Sequence, residues 1–318
     1  MSIESSNYDY ISFHQNFQRN IKASIEYLIE CSEADLCLPD EFSLRWNICG
    51  AHHLAVCAAE NNNRELCVNY LTYAVRESEL SVSNKVKDIN ISALDYKTQP
   101  YFDMNILLNI INEDDKGVKV GFQTEKEMVI EEKKVREALS LLKEYDMQSY
   151  GECTVFIDNI YLTGRTDGYY IRSGCSFNLF GLIFLYAHES NTIPYYVEHI
   201  VHECAHHALN IINADDYIVE NDPDERFSAP FREDKRPMIG IFHALFVLSR
   251  IAQSLSKFVT SYSGPYEIEF SERLDNALIK YQQTVEIVQE HAKLTPKGRE
   301  LLDGIKKVMK DVGAIYEN

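Results

Sequence analysis

Two histidines and a glutamate in the pattern H-E-x-x-H carry the clearest chemistry in this chain of 318 residues: His202, Glu203 and His206. Histidines four residues apart lie on one face of a helix within about 6 Å, so both imidazoles can bind one metal ion. The glutamate then lies beside the open coordination positions. The spacing predicts a metal site on a helix, with His202 and His206 as ligands and Glu203 as the candidate catalytic residue.

A third ligand has to come from another part of the chain. His243 lies in an apolar helix downstream, and we expect it to complete the site. Glu220 and Glu225 remain alternatives, because two histidines and one carboxylate are the more usual ligands of non-haem iron. Both fall in a predicted loop. His199 is expected to lie behind the ligands or on the surface, and His207 to point about 100° away from the ligand face.

A second motif follows the histidine pair, reading A-P-F-R-E-D-K-R-P-M-I-G-I-F-H over 229–243. With both motifs in order over about 199–250, the chain resembles the 2-oxoglutarate-dependent H-E-x-x-H peptide β-hydroxylases, which modify ribosomally synthesised peptides. In that family the segment reads A-P-W-R-x-D-x-R-P-x-x-G-x-x-H, so this chain departs from it at Phe231. The resemblance implies an Fe(II) oxygenase that hydroxylates a peptide side chain at its β-carbon, with 2-oxoglutarate and O₂ as cosubstrates.

The residues are compatible with this chemistry. Three protein ligands on one side of iron leave three positions for a bidentate keto acid and O₂. The distal carboxylate of the keto acid also needs a partner, and an arginine can hold it bidentately. Arg232 and Arg236 lie between the predicted ligands, and Arg236 is held in extended geometry because it precedes Pro237. We expect one of the two arginines to bind 2-oxoglutarate.

The peptide substrate is expected to bind at a sheet edge. Two segments rich in β-branched and aromatic residues, 154–162 and 169–186, predict antiparallel strands joined by a turn at Gly164–Gly168. An extended peptide pairing with an exposed strand would direct alternate side chains towards the metal. The polar residues of the second strand that could contact it are Ser173, Ser176 and Asn178. Ordinary alternation on a half-exposed sheet explains these three residues equally well.

Helical periodicity dominates the rest of the chain. We predict three helices between 10 and 76, and others at 131–145, 194–213, from Pro237 onwards, at 266–294 and at 295–312. The predicted fold is mostly α with a small antiparallel β-sheet (α+β), in which a buried H-E-x-x-H helix packs against a second apolar helix. It is expected to be a single domain (1–318) with an N-terminal helical part (1–100), a metal-site core (150–260) and C-terminal helices (266–318).

Composition narrows the list of partners. The formal net charge of −18 repels phosphate backbones and anionic lipid, which argues against nucleic acid and membrane surfaces. No apolar run of about 18 residues and no secretory signal is evident, so we expect a cytoplasmic protein whose eight cysteines stay reduced. The expected partner is a precursor peptide, and the oligomeric state is left open. Cys49, His53 and Cys57 are expected to be packing residues, since i and i+8 are about 12 Å apart.

Two other functions use the same residues. In a zinc metallopeptidase, Glu203 would act as the general base that deprotonates the attacking water. In a binding protein the metal would be purely structural, but structural zinc sites are usually rich in cysteine, and H-E-x-x-H supplies none as a ligand. The hydroxylase is the favoured hypothesis, with the zinc peptidase as its alternative.

Overall fold

Helices make up most of the structure, a computed structural model that describes residues 9–83, 88–95, 97, 99–112, 120–166, 170–230 and 234–316. Its helices are α1 (Tyr10–Cys31), α2 (Trp46–Glu60), α3 (Arg64–Ser83), α4 (Tyr101–Asn112), α5 (Glu125–Tyr145), α6 (Met147–Phe156), α7 (Ile193–Asp215), α8 (Met238–Ser261), α9 (Glu267–His291) and α10 (Pro296–Tyr316). Its strands are β1 (Asn90–Ala93), β2 (Asn159–Thr163), β3 (Ser173–Cys175), β4 (Leu182–Tyr186), β5 (Phe227–Ser228) and β6 (Lys235–Arg236). The predicted class, mostly helical with a small sheet, is confirmed.

Contacts within the chain define two compact units, each assembled from separate stretches of sequence. The first unit contains Met1–Tyr10, Lys134–Cys153 and Asn191–Asn318, and it holds α7 to α10 with the β5–β6 pair. The second contains Ile11–Lys133 and Thr154–Ser190, and it holds α2 to α4 with the other four strands. The division into one domain with three consecutive parts stays a prediction.

The sheet of the second unit is mixed, so the prediction of an antiparallel sheet is wrong. Its strand order is β1-β2-β4-β3. β2 is parallel to both β1 and β4, and only β3 runs antiparallel, along β4. The glycine-rich turn after β2 does not form a hairpin, because the chain crosses to the far side of β4 before it returns. Continuous apolar runs in β2 and β4, buried along their whole length, are typical of parallel strands.

Other segments also differ from the sequence prediction. Thr154–Phe156, predicted as strand, forms the last turn of α6, and a short 3-10 helix (Phe177–Leu179) interrupts the predicted second strand. β1 and α4 lie in a region where the sequence predicted no clear element. The alternating apolar residues Val118, Val120 and Phe122 favour a strand, but Val118 lies outside the described residues. In the described part of that segment only Gly121 pairs, in an isolated bridge with Gly164.

Three helices of the first unit begin close to where the sequence predicts them, and two of them, α7 and α10, have a threonine cap. The Thr192 hydroxyl accepts a hydrogen bond from the backbone N–H of Tyr195 at the start of α7. Pro237 is the residue before α8 rather than its first residue. The Thr295 hydroxyl accepts from the backbone N–H of Gly298, directly before Pro296 begins α10. The local sequence therefore fixes where each of these helices starts.

α8 is the central helix of the first unit. It packs against α7, α9 and α10, and the side chains that it buries include Phe242, Leu245 and Phe246. By length and composition alone α8 could cross a membrane, but most of it is buried inside the protein. Core helices of soluble proteins have the same property, and the localisation stays a prediction. All eight cysteines are free thiols.

A buried carboxyl joins the start of α2 to the sheet of the second unit. Asp158 Oδ2 accepts a hydrogen bond from the backbone N–H of Trp46, the first residue of α2, at 3.0 Å. Its other oxygen is buried and accepts no hydrogen bond from the described residues. Gly181 makes room for this carboxyl, because a Cβ at that position would lie 2.9 Å from Asp158 Oδ1 and the residue has φ +106°. Burial raises the pKa of Asp158 to about 7, although the Trp46 N–H and nearby Arg45 lower it.

We predict that Asp158→Asn removes a pH-dependent loss of stability. The folded protein keeps the Asp158 proton up to about pH 7, whereas the unfolded chain releases it near pH 4. The free energy of unfolding therefore falls as pH rises between these values, by about 1 to 4 kcal/mol in total. Urea denaturation from pH 4.5 to 8 should show the variant gaining stability relative to the wild type as pH rises. Asp40→Asn, an exposed control, should keep the wild-type slope; equal slopes for all three proteins would contradict the assignment.

Candidate metal centre

A row of imidazole rings follows one face of α7 and continues onto α8. The ring centroids of His202 and His206 lie 5.0 Å apart, as expected for positions i and i+4. The ring of His243, from α8, lies 5.7 Å from that of His206 with an angle of 22° between the planes. Three histidines predicted as ligands thus lie in sequence along two packed helices, with His206 in the middle.

The three histidines are half-buried, and partial desolvation favours the neutral form of their rings at pH 7. Burial lowers the pKa of His206 to about 4, and burial together with His206 lowers the pKa of His243 to about 4. The pKa of His202 falls well below its usual value, chiefly through burial and then through His206, His199 and Lys280. A neutral imidazole keeps a free lone pair, which is the form that binds a metal ion. The donor chemistry of the row therefore fits zinc or iron.

His206 and His243 also have the separation that a shared ion requires. Their Nδ1 atoms lie 3.4 Å apart. Two nitrogens at 2.0–2.1 Å from one tetrahedral ion are about 3.3 Å apart, by simple geometry from the usual zinc–nitrogen distance. Without an ion, the same distance suits one Nδ1–H donating a hydrogen bond to the other Nδ1. The pair is thus positioned for either arrangement.

The third ring does not converge on the same point. In the part of the chain that the structure describes, no group of three or more histidine, cysteine or acidic side chains has the geometry to hold a metal ion. His202 directs its Nε2 towards Glu203, at 3.8 Å from Oε1. The side chain of His202 is 37% exposed. His206 and His243 thus lie at ligand separation, and among the described residues no third side chain joins them in a group that could hold a metal ion.

The other groups on α7 have separate surroundings. Glu203 is almost completely buried beside His202. His199 stacks on Tyr195 with ring centroids 4.1 Å apart, and its Nδ1 contacts the Tyr195 carbonyl oxygen at 2.8 Å. His207 is fully buried in the core. His199, predicted to share the ligand face one turn before His202, has its ring 6.3 Å from that of His202. His207 was predicted to point away from that face.

The carboxylates considered as alternative third ligands lie in an exposed loop. The backbone N–H of Glu220 donates to the Lys293 carbonyl oxygen, and Glu225 Oε2 accepts from the Asn221 amide. The first contact attaches the loop to the connection between α9 and α10, and the second lies within the loop itself. His206 instead contacts His243, which lies on α8.

Of the two arginines predicted to bind the keto acid, the structure describes Arg236. Arg232 lies outside the described residues. Arg236, at the end of β6, pairs with Asp234 at 2.7 Å and its side chain is 40% exposed. The nearby positive charge that the sequence did not single out is Lys280 on α9, whose electrostatic influence reaches His202.

The predicted substrate contacts belong to the second unit. Ser173 begins β3, Ser176 precedes the 3-10 helix, and all three residues are half-buried. Asn178 lies within the 3-10 helix and its amide contacts His53 Nε2 at 3.2 Å. The Nε2 atom of His53 also lies 3.7 Å from the Cys57 sulfur. Their role in binding a substrate stays a prediction, although Asn178 does not lie on a strand.

Buried charges hold α8 in place next to the site. Arg250, two turns after His243, forms an ion pair with Glu152 on α6, and both side chains are at most 4% exposed. Lys257, two turns beyond Arg250 on α8, pairs with the buried Asp146 at 2.5 Å. Burial raises the pKa of Glu152, while Arg250 opposes that shift. These pairs fix the rotation of α8 and so the direction in which His243 points.

No protein-family model matches this chain, and no curated protein matches it significantly.

We predict that Arg250→Met destabilises the protein by about 3 to 5 kcal/mol, because it leaves the Glu152 carboxylate buried without its cation. The double variant Glu152→Leu with Arg250→Met should recover most of the loss, since no charge then remains buried there. Free energies of unfolding from urea titrations form the double-mutant cycle. Arg76→Met, which breaks the more exposed Arg76–Glu77 pair, should cost less than about 1 kcal/mol. An additive double variant would refute the coupling.

Proposed function

We propose that this protein is an Fe(II)- and 2-oxoglutarate-dependent oxygenase that hydroxylates the β-carbon of a side chain in a ribosomally synthesised peptide. The resemblance of residues 199–250 to the H-E-x-x-H peptide β-hydroxylases supports this function. The family segment places a histidine at position 243, far from the H-E-x-x-H motif in sequence.

One observation carries the proposal: the Nδ1 atoms of His206 and His243 lie 3.4 Å apart. A histidine buried in an apolar helix is costly unless a partner satisfies its ring nitrogens. Here the partner is the last histidine of the H-E-x-x-H motif, so the two motifs that define the resemblance meet in space. A chance combination of motifs would not require this contact.

The proposed reaction converts a peptide C–H group, O₂ and 2-oxoglutarate into a peptide C–OH group, succinate and CO₂. When bound, iron supplies the redox chemistry that activates O₂. His202, His206 and His243 would hold it, with no charged ligand among them. Desolvation lowers the pKa of each ring and so favours the neutral form that can bind a metal ion. Glu203 would orient His202 or a water molecule, since no step of the reaction requires a protein nucleophile.

A zinc metallopeptidase is the second candidate, and the position of Glu203 favours it. The Glu203 carboxylate lies 3.8 Å from His202 Nε2. In that function Glu203 accepts the proton of the water that attacks the peptide bond. The two functions differ in their cosubstrate and in their dependence on this carboxylate.

We predict that His206→Ala and His243→Ala each abolish binding of one equivalent of Fe(II) or Co(II). Each change removes one of the two imidazoles that lie at ligand separation. Metal content after anaerobic loading and gel filtration measures the loss, and His202→Ala should weaken binding as well. His199→Gln, matched in position on α7, should keep the metal because its Nδ1 faces the backbone of its own helix. Retention of metal by His243→Ala would exclude residue 243 as a ligand.

We predict that Glu203→Gln retains 2-oxoglutarate turnover, within about tenfold of the wild type, because the proposed reaction has no general base at this position. The assay measures succinate formation together with a gain of one oxygen atom in the peptides encoded beside the gene. Loss of all activity in this variant, with peptide cleavage by the wild type and no effect of 2-oxoglutarate, would establish the peptidase instead.

A further inference from the structure

A thiol and an imidazole face each other on α2, in the second unit. The Cys57 sulfur lies 3.7 Å from Nε2 of His53, which is one helical turn earlier. Both side chains are half-buried, and the residues that follow Cys57 at the end of the helix, 59–63, are exposed. The thiol is therefore partly accessible from the solvent.

A third side chain determines which nitrogen of His53 accepts a proton. The Asn178 amide, from the 3-10 helix Phe177–Leu179, donates a hydrogen bond to His53 Nε2 at 3.2 Å. A neutral histidine has a proton on one ring nitrogen and a lone pair on the other, so this donor keeps the lone pair on Nε2. The same nitrogen faces Cys57 and can accept the thiol proton. A nucleophile, a base within reach and a third group that orients the base are the usual arrangement of an activated cysteine.

Cys49, two turns before Cys57 on the same helix, provides a contrast. It is 3% exposed, and its sulfur contacts the Phe177 carbonyl oxygen at 3.7 Å. Burial raises the pKa of Cys49 to about 12, so this thiol stays protonated and unreactive. Cys57 differs from it in being partly exposed and in having a basic nitrogen beside its sulfur.

The end of α2 is arranged so that it opposes a negative sulfur less strongly. The carbonyl groups at the C-terminus of a helix carry a partial negative charge, which disfavours a nearby thiolate. The backbone N–H and the side-chain amide of Asn61 both donate to the Cys57 carbonyl oxygen, at 3.1 and 2.8 Å. These two bonds offset part of the negative charge closest to the thiol.

We propose that Cys57 is a modification site at which a small disulfide of the glutathione disulfide type forms a mixed disulfide with the protein. His53 Nε2 accepts the thiol proton, and the Cys57 sulfur attacks one sulfur of the small disulfide. The new S–S bond forms as the old one breaks, and the departing thiolate takes the proton from His53. The small disulfide is the oxidant, and one equivalent of its thiol is released. This site does not depend on the proposed function.

The test compares the reactivity of thiols along the native chain at pH 7. Brief treatment with iodoacetamide, then digestion and mass spectrometry, gives an alkylation rate for each cysteine, which is divided by its rate in the urea-unfolded chain. On this scale Cys57 should react about tenfold faster than Cys37, although Cys37 is more exposed. Glutathione disulfide should modify Cys57 first, and dithiothreitol should reverse the modification.

Two variants test the role of the imidazole. His53→Gln should slow the alkylation of Cys57 by about tenfold and leave Cys37 unchanged, because only Cys57 loses its proton acceptor. The matched control is His52→Gln. The Nε2 atom of His52 contacts the Ser24 hydroxyl at 2.8 Å, so Cys57 in this variant should react as in the wild type.

Equal scaled rates for Cys57 and Cys37 in the wild type would overturn the proposal. Equal slowing of Cys57 by His53→Gln and His52→Gln, or faster glutathionylation of another cysteine, would also overturn it. Cys49 reports on the fold, since it should stay unmodified in every folded variant. If His53→Gln exposes Cys49 to the reagent, the comparison of Cys57 with Cys37 in the wild type decides the question.

Discussion

The contact between His206 on α7 and His243 on α8 is the interaction on which the candidate site depends. Each ring by itself would be a polar group placed in an apolar interior, at a cost of about 1 to 3 kcal/mol if its nitrogens found no partner. Facing each other, the two Nδ1 atoms satisfy one another or share an ion. The packing of two apolar helices therefore brings the site together, and a rotation of either helix would separate its halves.

The first unit contains interactions that prevent such a rotation. On one side of α8, the buried pairs with Glu152 and Asp146 fix its orientation two turns and more beyond His243. On α7, the Thr192 hydroxyl donates a hydrogen bond to Glu269 of α9, and Glu198 accepts one from Arg273 of α9, so both bonds fix the first turns of α7 against α9. Hydrophobic packing is non-directional, whereas each of these bonds requires one register. Polar groups around the site thus supply the precision that an apolar interface lacks.

The sequence predicts the helical parts of this protein well because their signals are local. The helices capped by Thr192 and Thr295 begin within one residue of the predicted positions, and the spacing of His202 and His206 places both rings on one face. The sheet was predicted less well because strand direction depends on how the chain crosses between distant segments. The turn glycines after β2 suit a hairpin, and only the continuous burial of β2 and β4 reveals their parallel arrangement.

The residues of the candidate site also differ in whether their sequence signal is local. A motif within five residues identifies His202, Glu203 and His206, and a segment of fifteen residues adds His243 by resemblance. Arg273, which joins α7 to α9, belongs to no such motif, because one of its partners is Glu198 on another helix, 75 residues away in the sequence. Residues of this kind can be found only after the helices have been placed, since neither their type nor their local spacing distinguishes them from an ordinary surface arginine.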